Sequence, residues 1–420
     1  MALPDPLDIK QLDQQLAPQR ILTDRGIRKA FELKLIETVP IFDEKDTTRI
    51  QPATLDVKLQ NVDGCEPIEY IQGLNYNFRS AYDLPHTLQS KQSSVVNLTE
   101  FINFGQLDFF FHAEEILKDC KTEQDIRDAY LLHNDTRFFG VSSEARSSLR
   151  RLGIYMENHG GYFFSDRHST KVELGNFGPN DIHFKQGDRI AQLFFNVDPY
   201  LDVRYARLNG ANKKLDEKGQ LVRTLEMGVE AKGRQQIIEL QKEGYIEITP
   251  HIKTYRGLFG VHASKTAYKM KQIEGGIEFS KRDSCPREQL LEPIDITKGY
   301  TVQPFEHIII ETIEQFKLSP HVGIRFWDNL VIGGRYQNIR KRDPFTNMKL
   351  CDLTDGWVDP GYSGGFSRQP KWLTGRRIKP GDLIGFGQFF YFPNGVATSY
   401  GSTKLGSQYQ NKEKTEFSSR

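Results

Sequence analysis

The sequence has few cysteines, no long apolar run and almost no net charge, and each shortage argues against a class of protein. Its four cysteines stand far apart with no Cys-x-x-Cys spacing, which argues against a disulfide framework and a structural zinc site. No apolar stretch approaches the roughly 20 residues of a membrane-spanning helix. The net charge of +1 provides no bulk attraction to nucleic acid or to a membrane surface. Since no leader segment is recognisable either, we expect a cytoplasmic protein with reduced thiols and neither of these partners.

The remaining composition is that of a packed globular chain, with 38% hydrophobic and 26% charged residues. Its 420 residues are many for one domain, so two domains of roughly 200 residues each are expected. The segment Lys185-Gln186-Gly187-Asp188 has a counterpart 194 residues later in Lys379-Pro380-Gly381-Asp382. This offset predicts two copies of one fold. We call residues 1–210 the first half and residues 211–420 the second half.

Short strands and turns dominate the pattern. A helix is predicted over residues 22–33, with Thr23 or Asp24 as its N-cap. A half-buried strand is predicted at residues 55–59, where apolar residues alternate with Asp56 and Lys58. In the second half, residues 245–248 are a weak match to that strand. A helix over about residues 226–242 is expected at the start of that half. Many strands and few helices predict an all-β sandwich or barrel with a few short helices, present twice.

One segment combines groups that suit an anionic ligand. Arg146-Ser147-Ser148-Leu149-Arg150-Arg151 places three guanidinium groups and two hydroxyls within six residues, and both groups bind phosphate oxygens well. About twenty residues later Glu173 lies between Val172 and Leu174. A half-buried glutamate is a natural general base, because desolvation raises its pKa. The two features together suggest an enzyme acting on a phosphorylated small molecule. Alternatively, the arginine segment is an exposed basic turn and Glu173 is an outward-facing strand residue.

Four segments together resemble the dCTP deaminases of the dUTPase-like superfamily, in their tandem two-barrel bacterial form. Residues 146–153 are similar to the family signature Arg-Ser-Ser-x-x-Arg-Leu-Gly, the most specific of the four. The others are residues 22–27, residues 51–59 and the tail from Tyr400 onward. The resemblance implies two tandem dUTPase-like distorted β-barrels or jelly rolls. It also implies hydrolytic deamination of dCTP to dUTP and ammonia, in pyrimidine deoxynucleotide metabolism.

The resemblance also assigns roles to individual residues. Glu173 becomes the base that activates water for attack on C4 of cytosine, and Ser147 and Arg151 position the water and the pyrimidine ring. The implied substrate-binding residues are Arg146, Ser148, Gly160, Asp359, Gly361, Tyr400, Tyr409 and Gln410. Mg²⁺ is expected to accompany the triphosphate, the expected ligands are dCTP and dUTP with dTTP a further candidate, and a homo-oligomer is expected.

The family resemblance implies that zinc is not used. His112-Ala113-Glu114 imitates the first part of the zinc-deaminase signature. That signature also needs Pro-Cys-x-x-Cys, because the metal takes three protein ligands and a water. The sequence has no such element, so His112 is interpreted as an ordinary strand residue.

The two halves depart from the family pattern in complementary ways. The family's Asp-Pro-Gly-aromatic-Ser-Gly turn is missing after Arg151 and occurs only at residues 359–364 of the second half. The second half has no Arg-Ser-Ser motif, because Gly323-Ile324-Arg325-Phe326 lies in the corresponding region. Gln369 falls near the place of Glu173. We therefore expect at most one type of site per chain, centred on the first half, with the second half a scaffold or the donor of the turn and tail. Two alternatives stay open: dUTP hydrolysis, alone or after deamination, and a non-catalytic nucleotide-binding protein.

Overall fold

The computed structural model describes the following residues: 20–33, 35–39, 49–58, 87–88, 93–103, 139–156, 169–185, 187–197, 221–222, 224–252, 254–255, 257–284, 287–303, 306–327, 351–352, 356–369, 371–372 and 376–402. Strands dominate these ranges, which confirms the predicted all-β class with a few short helices. Within the same ranges, no helix has the length and apolar character needed to cross a membrane.

The strands of the first half, in chain order, are β1 (Arg20–Leu22), β2 (Glu37–Val39), β3 (Leu55–Lys58), β4 (Thr87–Leu88), β5 (Ser93–Asn103), β6 (Phe139–Ala145), β7 (Ile154–Met156), β8 (Ser169–Asn176), β9 (Ile182–His183) and β10 (Arg189–Val197). The helices are α1 (Asp24–Glu32) and α2 (Ser147–Arg151) in this half, and α3 (Arg234–Lys242), α4 (Arg287–Leu290) and a 3-10 helix (Phe279–Ser284) in the other.

The strands of the second half are β11 (Met227–Glu230), β12 (Ile246–Thr249), β13 (Thr254–Tyr255), β14 (Leu258–Met270), β15 (Ile277–Glu278), β16 (Leu291–Asp295), β17 (Tyr300–Val302), β18 (Ile308–Leu318), β19 (Val322–Trp327), β20 (Cys351–Asp352), β21 (Gly356–Val358), β22 (Ser363–Arg368), β23 (Lys371–Trp372), β24 (Arg376–Ile378) and β25 (Leu383–Tyr391).

Helix α1 confirms the prediction for residues 22–33 and lies against the second half. Thr23 is its N-cap, and the Thr23 hydroxyl accepts a hydrogen bond from the Gly26 amide at 3.0 Å. Ile27 and Ala30 are buried beneath the helix. A Cβ atom at Gly26 would lie 2.1 Å from the carbonyl oxygen of Glu226. Only glycine therefore allows the helix to approach the segment before β11 this closely.

The largest sheet passes through both halves. Its main path is β12-β18-β14-β25-β11-β1-β10-β3. Strand β1 pairs antiparallel with β10 of its own half and with β11 of the second half, so that Ile21 lies opposite Asn196 on one side and Gly228 on the other. A second connection is the parallel pair of β9 and β15. Hydrogen bonding of the backbone therefore continues from one half into the other.

The repeated Lys-x-Gly-Asp segments form the same turn. The Lys185 amide donates to Oδ2 of Asp188 at 2.7 Å, and the Lys379 amide donates to Oδ2 of Asp382 at 2.9 Å. The glycine before each aspartate has a positive φ, of 87° at residue 187 and 84° at residue 381. The carboxylate closes the turn by accepting a backbone hydrogen bond, as is common for aspartate.

The strands that follow these turns also correspond. Strand β10 pairs with β3 and β6, and β25 pairs with β14 and β19. Leu55 lies opposite Leu193, and Phe259 lies opposite Gly387, which is 194 residues after Leu193. The repeat therefore extends over these strands. The predicted boundary at residue 210 lies outside the described residues, and the division into two tandem barrels stays a prediction.

Two predictions for the second half are corrected by these pairings. Residues 226–242 are not one helix: β11 comes first, and α3 begins at Arg234 after Gly233 as N-cap. The match of residues 245–248 to the strand of Leu55 is wrong, because β14 occupies that register and β12 pairs with β18 instead. Register depends on hydrogen bonds between distant segments, which local apolar patterns do not specify.

The hydrophobic core is shared between the halves. The cluster that contains Leu55, Leu149 and Phe195 also contains Tyr268 and Ile309 of the second half. A smaller cluster joins three first-half residues, Ile21, Ala53 and Phe194, to second-half residues that include Phe390 and Phe392. Because burying apolar area is the main favourable term in folding, these contacts make the stability of each half depend on the other.

Candidate functional site

Helix α2 carries the arginine and serine segment that the sequence singles out. It follows β6 after Arg146, and both Leu149 within it and Leu152 directly after it are fully buried. Ser147 is exposed at the first helical position, Ser148 is buried, and Arg151 is partly buried. A five-residue helix has little stability of its own. Its position therefore depends on these packing contacts and on the ionic contacts around it.

Arg146, immediately before α2, pairs with a buried carboxylate. Its Nη1 lies 3.4 Å from Oδ2 of Asp56 in β3, and Nη1 of Arg189 in β10 lies 3.6 Å from the same oxygen. The Asp56 side chain is only 1% exposed. The expectation that Asp56 alternates outward from a half-buried strand is therefore wrong. Two guanidinium groups offset the cost of burying its charge.

Asp359, in the turn of the second half, is affected by the charges of Asp56 and Arg146, and we call these three residues the charged group. The Trp357 ring donates a hydrogen bond from Nε1 to Oδ1 of Asp359 at 2.8 Å. The pKa of Asp359 is raised to about 7, chiefly by burial and further by the Asp56 charge, while the hydrogen bond from Trp357 and the Arg146 charge oppose the rise. The electrostatic effects of Asp56 and Arg146 on Asp359 indicate that the first-half signature and the second-half turn lie near each other.

Gly361 and Tyr400 lie together beside the same turn. Gly361 has a φ of 91°, and a Cβ there would lie 2.9 Å from Cβ of Ser399. The Tyr400 amide donates to the carbonyl of Pro360 at 2.9 Å. The Tyr400 ring packs on that of Tyr362, with 5.7 Å between centroids. The start of the tail therefore rests on the turn that carries Asp359.

The residues before Tyr400 are attached to the first half. Asp24, at the start of α1, accepts hydrogen bonds from the Ala397 amide at 3.0 Å and from the Thr398 amide at 2.9 Å. Arg25 donates to the carbonyls of Asn394 and Gly395 at 2.9 and 3.0 Å. The N-terminal helix of the first half thus holds the segment from which the tail departs.

Glu173 lies in β8, as predicted for a Val-Glu-Leu strand, with Val95 of β5 opposite it. The chain leaves α2 through β7, and β7 pairs with β8 so that Met156 lies opposite Leu174. The backbone therefore brings the strand of Glu173 next to the strand that follows α2. The side chain of Glu173 lies outside what the structure describes, as do the predicted site residues Gly160, Tyr409 and Gln410.

The second half has different residues at the positions of the ionic pair. The shared register places Gly260 where the first half has Asp56, and Leu383 where it has Arg189. Strand β19 occupies the place of β6, and the counterpart of α2 lies beyond the described residues. Among the described positions, the Asp–Arg pair therefore occurs in the first half and not at the equivalent positions of the second half.

Asp56, Arg189 and Trp357 are site residues that sequence reasoning missed. A charged residue among apolar neighbours in a strand is a weak signal for Asp56, whereas the sequence contains no signal for Arg189 or Trp357. They belong to the site only because distant strands bring them to Arg146 and Asp359.

A cavity of about 640 Å³ lies elsewhere, where β1 meets β11. Its lining includes Arg20, Thr23, Glu226, Phe392 and Asn394. None of the predicted site residues lines it, so it is separate from the charged group around Arg146.

Comparisons with known proteins relate the chain to one group of enzymes. No protein-family model matches the chain. Two curated proteins, both called "dCTP deaminase, dUMP-forming" and both from Corynebacterium glutamicum (strain R and strain ATCC 13032), are each 28% identical to it over 122 residues. The matched region is 29% of this chain, and it spans 58% of the length of these relatives.

A solved structure resembles the chain over most of its length. The crystal structure of 2'-deoxycytidine 5'-triphosphate deaminase from Agrobacterium tumefaciens aligns with a TM-score of 0.57 at 13% identity. The alignment covers 89% of this chain and 99% of that one. At this identity the likeness shows the fold and not the activity. The chain is thus similar to dCTP deaminases in sequence over 29% of its length and in fold over 89% of it.

Proposed function

We propose that this protein hydrolyses dCTP to dUTP and ammonia. The observation that carries the proposal is the ionic contact of Arg146 with Asp56, combined with the influence of both charges on Asp359. It supports a single site built from the Arg-Ser-Ser segment of the first half and the Asp-Pro-Gly turn of the second. The 28% identity to proteins called dCTP deaminase supports the same reaction.

In the proposed reaction, Glu173 takes a proton from water as the water oxygen bonds to C4 of cytosine. The proton passes from Glu173 to the amine nitrogen, the C4–N bond breaks and ammonia leaves. The second proton of the water moves from the C4 oxygen to N3, which gives the uracil carbonyl. Ser147, exposed at the start of α2, and Arg151, near its end, are proposed to orient the water and the base. General base catalysis of this kind contributes about 10²- to 10⁴-fold to the rate. No step of it uses zinc.

The triphosphate is proposed to bind with Mg²⁺ beside Arg146 and Ser148. Among the described residues no group of three or more His, Cys, Asp or Glu side chains could hold a metal, so the ion is proposed to bind chiefly through the substrate phosphates, as is usual for Mg²⁺. When bound, Mg²⁺ would offset negative charge on the triphosphate. Asp359 and Gly361 are proposed to hold the sugar side of the nucleotide, with Tyr400, Tyr409 and Gln410 of the tail and Gly160 completing the site.

One such site per chain is proposed, because Gly260 and Leu383 replace the Asp–Arg pair in the second half. Assembly into a homo-oligomer and binding of dTTP are further proposals. Light scattering would determine the mass of the assembly, and calorimetric titration would measure dTTP affinity.

A second candidate is a bifunctional reaction that continues from dUTP to dUMP and pyrophosphate. The name shared by both curated relatives, "dCTP deaminase, dUMP-forming", favours it. Water would then attack a phosphorus atom of the triphosphate after deamination, and pyrophosphate would leave.

The deciding experiment supplies dCTP and dUTP separately with Mg²⁺, separates the nucleotides and measures ammonia and pyrophosphate. Ammonia and dUTP from dCTP, without pyrophosphate, support deamination alone. Ammonia, pyrophosphate and dUMP support the bifunctional reaction. Pyrophosphate from dUTP with no ammonia from dCTP would identify a diphosphatase. Tight dCTP binding with no product would contradict both proposed reactions and indicate a nucleotide-binding protein.

A further inference from the structure

Two side chains of the second half act on the C-terminal part of helix α2, Arg325 through Glu144 and His307 directly. Before the helix, Glu144 of β6 is fully buried, and its carboxylate lies 3.2 Å from Nη2 of Arg150 and 3.4 Å from Nε of Arg325. Arg325 also donates to the Ser142 hydroxyl at 3.3 Å. One buried carboxylate thus links a guanidinium group of α2 with one of β19.

The direct contact with the last residue of the helix is made by His307. Its Nε2 lies 3.2 Å from the carbonyl oxygen of Arg151, and its Nδ1 lies 2.8 Å from the hydroxyl oxygen of Tyr155. A carbonyl only accepts, so Nε2 donates, and in the neutral ring Nδ1 accepts the Tyr155 proton. Burial raises the pKa of the Tyr155 hydroxyl, although the Arg150 and Arg368 charges oppose the shift. The hydroxyl therefore retains the proton that this contact needs.

These contacts matter for the orientation of α2 because the helix is short and has no side-chain cap. It has five residues, and its N-cap residue Arg146 makes no side-chain capping hydrogen bond. Leu149 and Leu152 bury their side chains and so set the depth of the helix. Apolar packing is not directional, whereas the hydrogen bond to the Arg151 carbonyl and the ion pair to Arg150 are.

We propose that Arg325 and His307 are positioning residues, which hold α2 from the second half in the orientation that Ser147 and Arg151 require. The second half then contributes to the orientation of the first-half site and is not a separate scaffold. The inference rests on the proposed function for the roles of Ser147 and Arg151. Its structural part, the fixing of α2, is independent of that function.

The test compares His307→Leu with His307→Gln, and Arg325→Met with Arg325→Lys, in the full chain. Glutamine can place an N–H near the position of Nε2, and lysine keeps a positive charge beside Glu144. His183→Leu is the matched control, because Nε2 of His183 also meets a backbone carbonyl across the halves, that of Gly275 at 2.9 Å. Hydrogen–deuterium exchange of the amides of residues 149–153 reports the freedom of α2 in each variant.

We expect exchange of these amides to rise about tenfold or more in His307→Leu and Arg325→Met, in line with loss of one directional contact. It should return toward the wild-type rate in the glutamine and lysine variants and stay unchanged in the control. Arg325→Met removes one of the two positive charges beside the buried Glu144 carboxylate and can prevent folding. In that case the comparison of His307→Leu with His307→Gln decides. Unchanged exchange in His307→Leu, or an equal rise in His183→Leu, would overturn the inference.

Kinetics separate this inference from the proposed function. If the wild-type chain deaminates dCTP, His307→Leu should lower kcat about tenfold and change KM for dCTP by less than about threefold, because orientation affects the chemical step more than binding. A wild-type kcat despite faster exchange in α2 would overturn the positioning role. A wild-type chain with no activity would refute the proposed function, and the exchange result would still decide whether Arg325 and His307 fix the helix.

Discussion

Asp359 of the second half and Asp56 of the first half place two carboxylates in one charged group. Burial, with added repulsion from Asp56, raises the pKa of Asp359 from 3.8 to about 7. The folded state therefore binds a proton more tightly than the unfolded state does. The stability that this proton contributes is fully present below about pH 4 and is lost as the pH rises through about 7.

Asp359→Asn should remove this pH dependence. Asparagine resembles the protonated acid and can still accept the Trp357 hydrogen bond through its oxygen. The melting temperature of the variant relative to wild type should therefore be higher at about pH 8.5 than at about pH 5. A difference that is the same at both pH values would contradict the raised pKa.

Glu173→Gln should lower the rate of ammonia release from dCTP by about 10²-fold or more, because the amide cannot act as a general base. The melting temperature should change little. Glu247→Gln is the control, since Glu247 is 62% exposed on β12 and pairs with Lys317 at the surface. Unchanged ammonia release in Glu173→Gln would refute its catalytic role.

Asp24→Asn should loosen the start of the tail. The amide nitrogen of asparagine would face one of the backbone N–H groups that Asp24 now accepts, either at Ala397 or at Thr398. Hydrogen bonds to a charged group contribute about 1.5–3 kcal/mol, so chymotrypsin should cleave after Tyr400 about tenfold faster.

Mass spectrometry of the fragments would locate this cleavage. Glu32→Gln is the matched acidic change on the same helix, where Glu32 forms an exposed pair with Lys29. It should leave the cleavage rate as it is. Equal cleavage in wild type and Asp24→Asn would mean that Asp24 does not retain the tail.

Gly26→Ala should destabilise the protein by about 1–3 kcal/mol, the usual cost of overpacking, because the new methyl group would meet the Glu226 carbonyl. Gly233→Ala is the control at the N-cap of α3, where a Cβ meets no atom closer than 3.9 Å. Its cost should stay below about 1 kcal/mol. Urea unfolding of both variants tests the difference, and equal midpoints would refute the proposed close contact.

Local patterns predicted the elements that depend on neighbouring residues. The apolar spacing and cap of residues 22–33 predicted α1, and the glycine–aspartate repeat predicted the two matching turns. The same reasoning failed for residues 245–248, because β12 and β14 both have apolar strand patterns and only their partners distinguish them. It failed again for residues 226–230, where pairing with β1 favours a strand over a helix.

For the site, the sequence by itself determined which residues could do chemistry: the Arg-Ser-Ser segment before Arg151, Glu173 in a strand, and the turn that begins at Asp359. It did not determine that Asp359 lies near the pair of Arg146 and Asp56, that Arg325 reaches Glu144 or that His307 reaches α2. Each of these relationships joins the two halves of the chain. They arise from the continuous sheet and the shared core of the two halves, where the burial of apolar surface brings together charges that no local pattern connects.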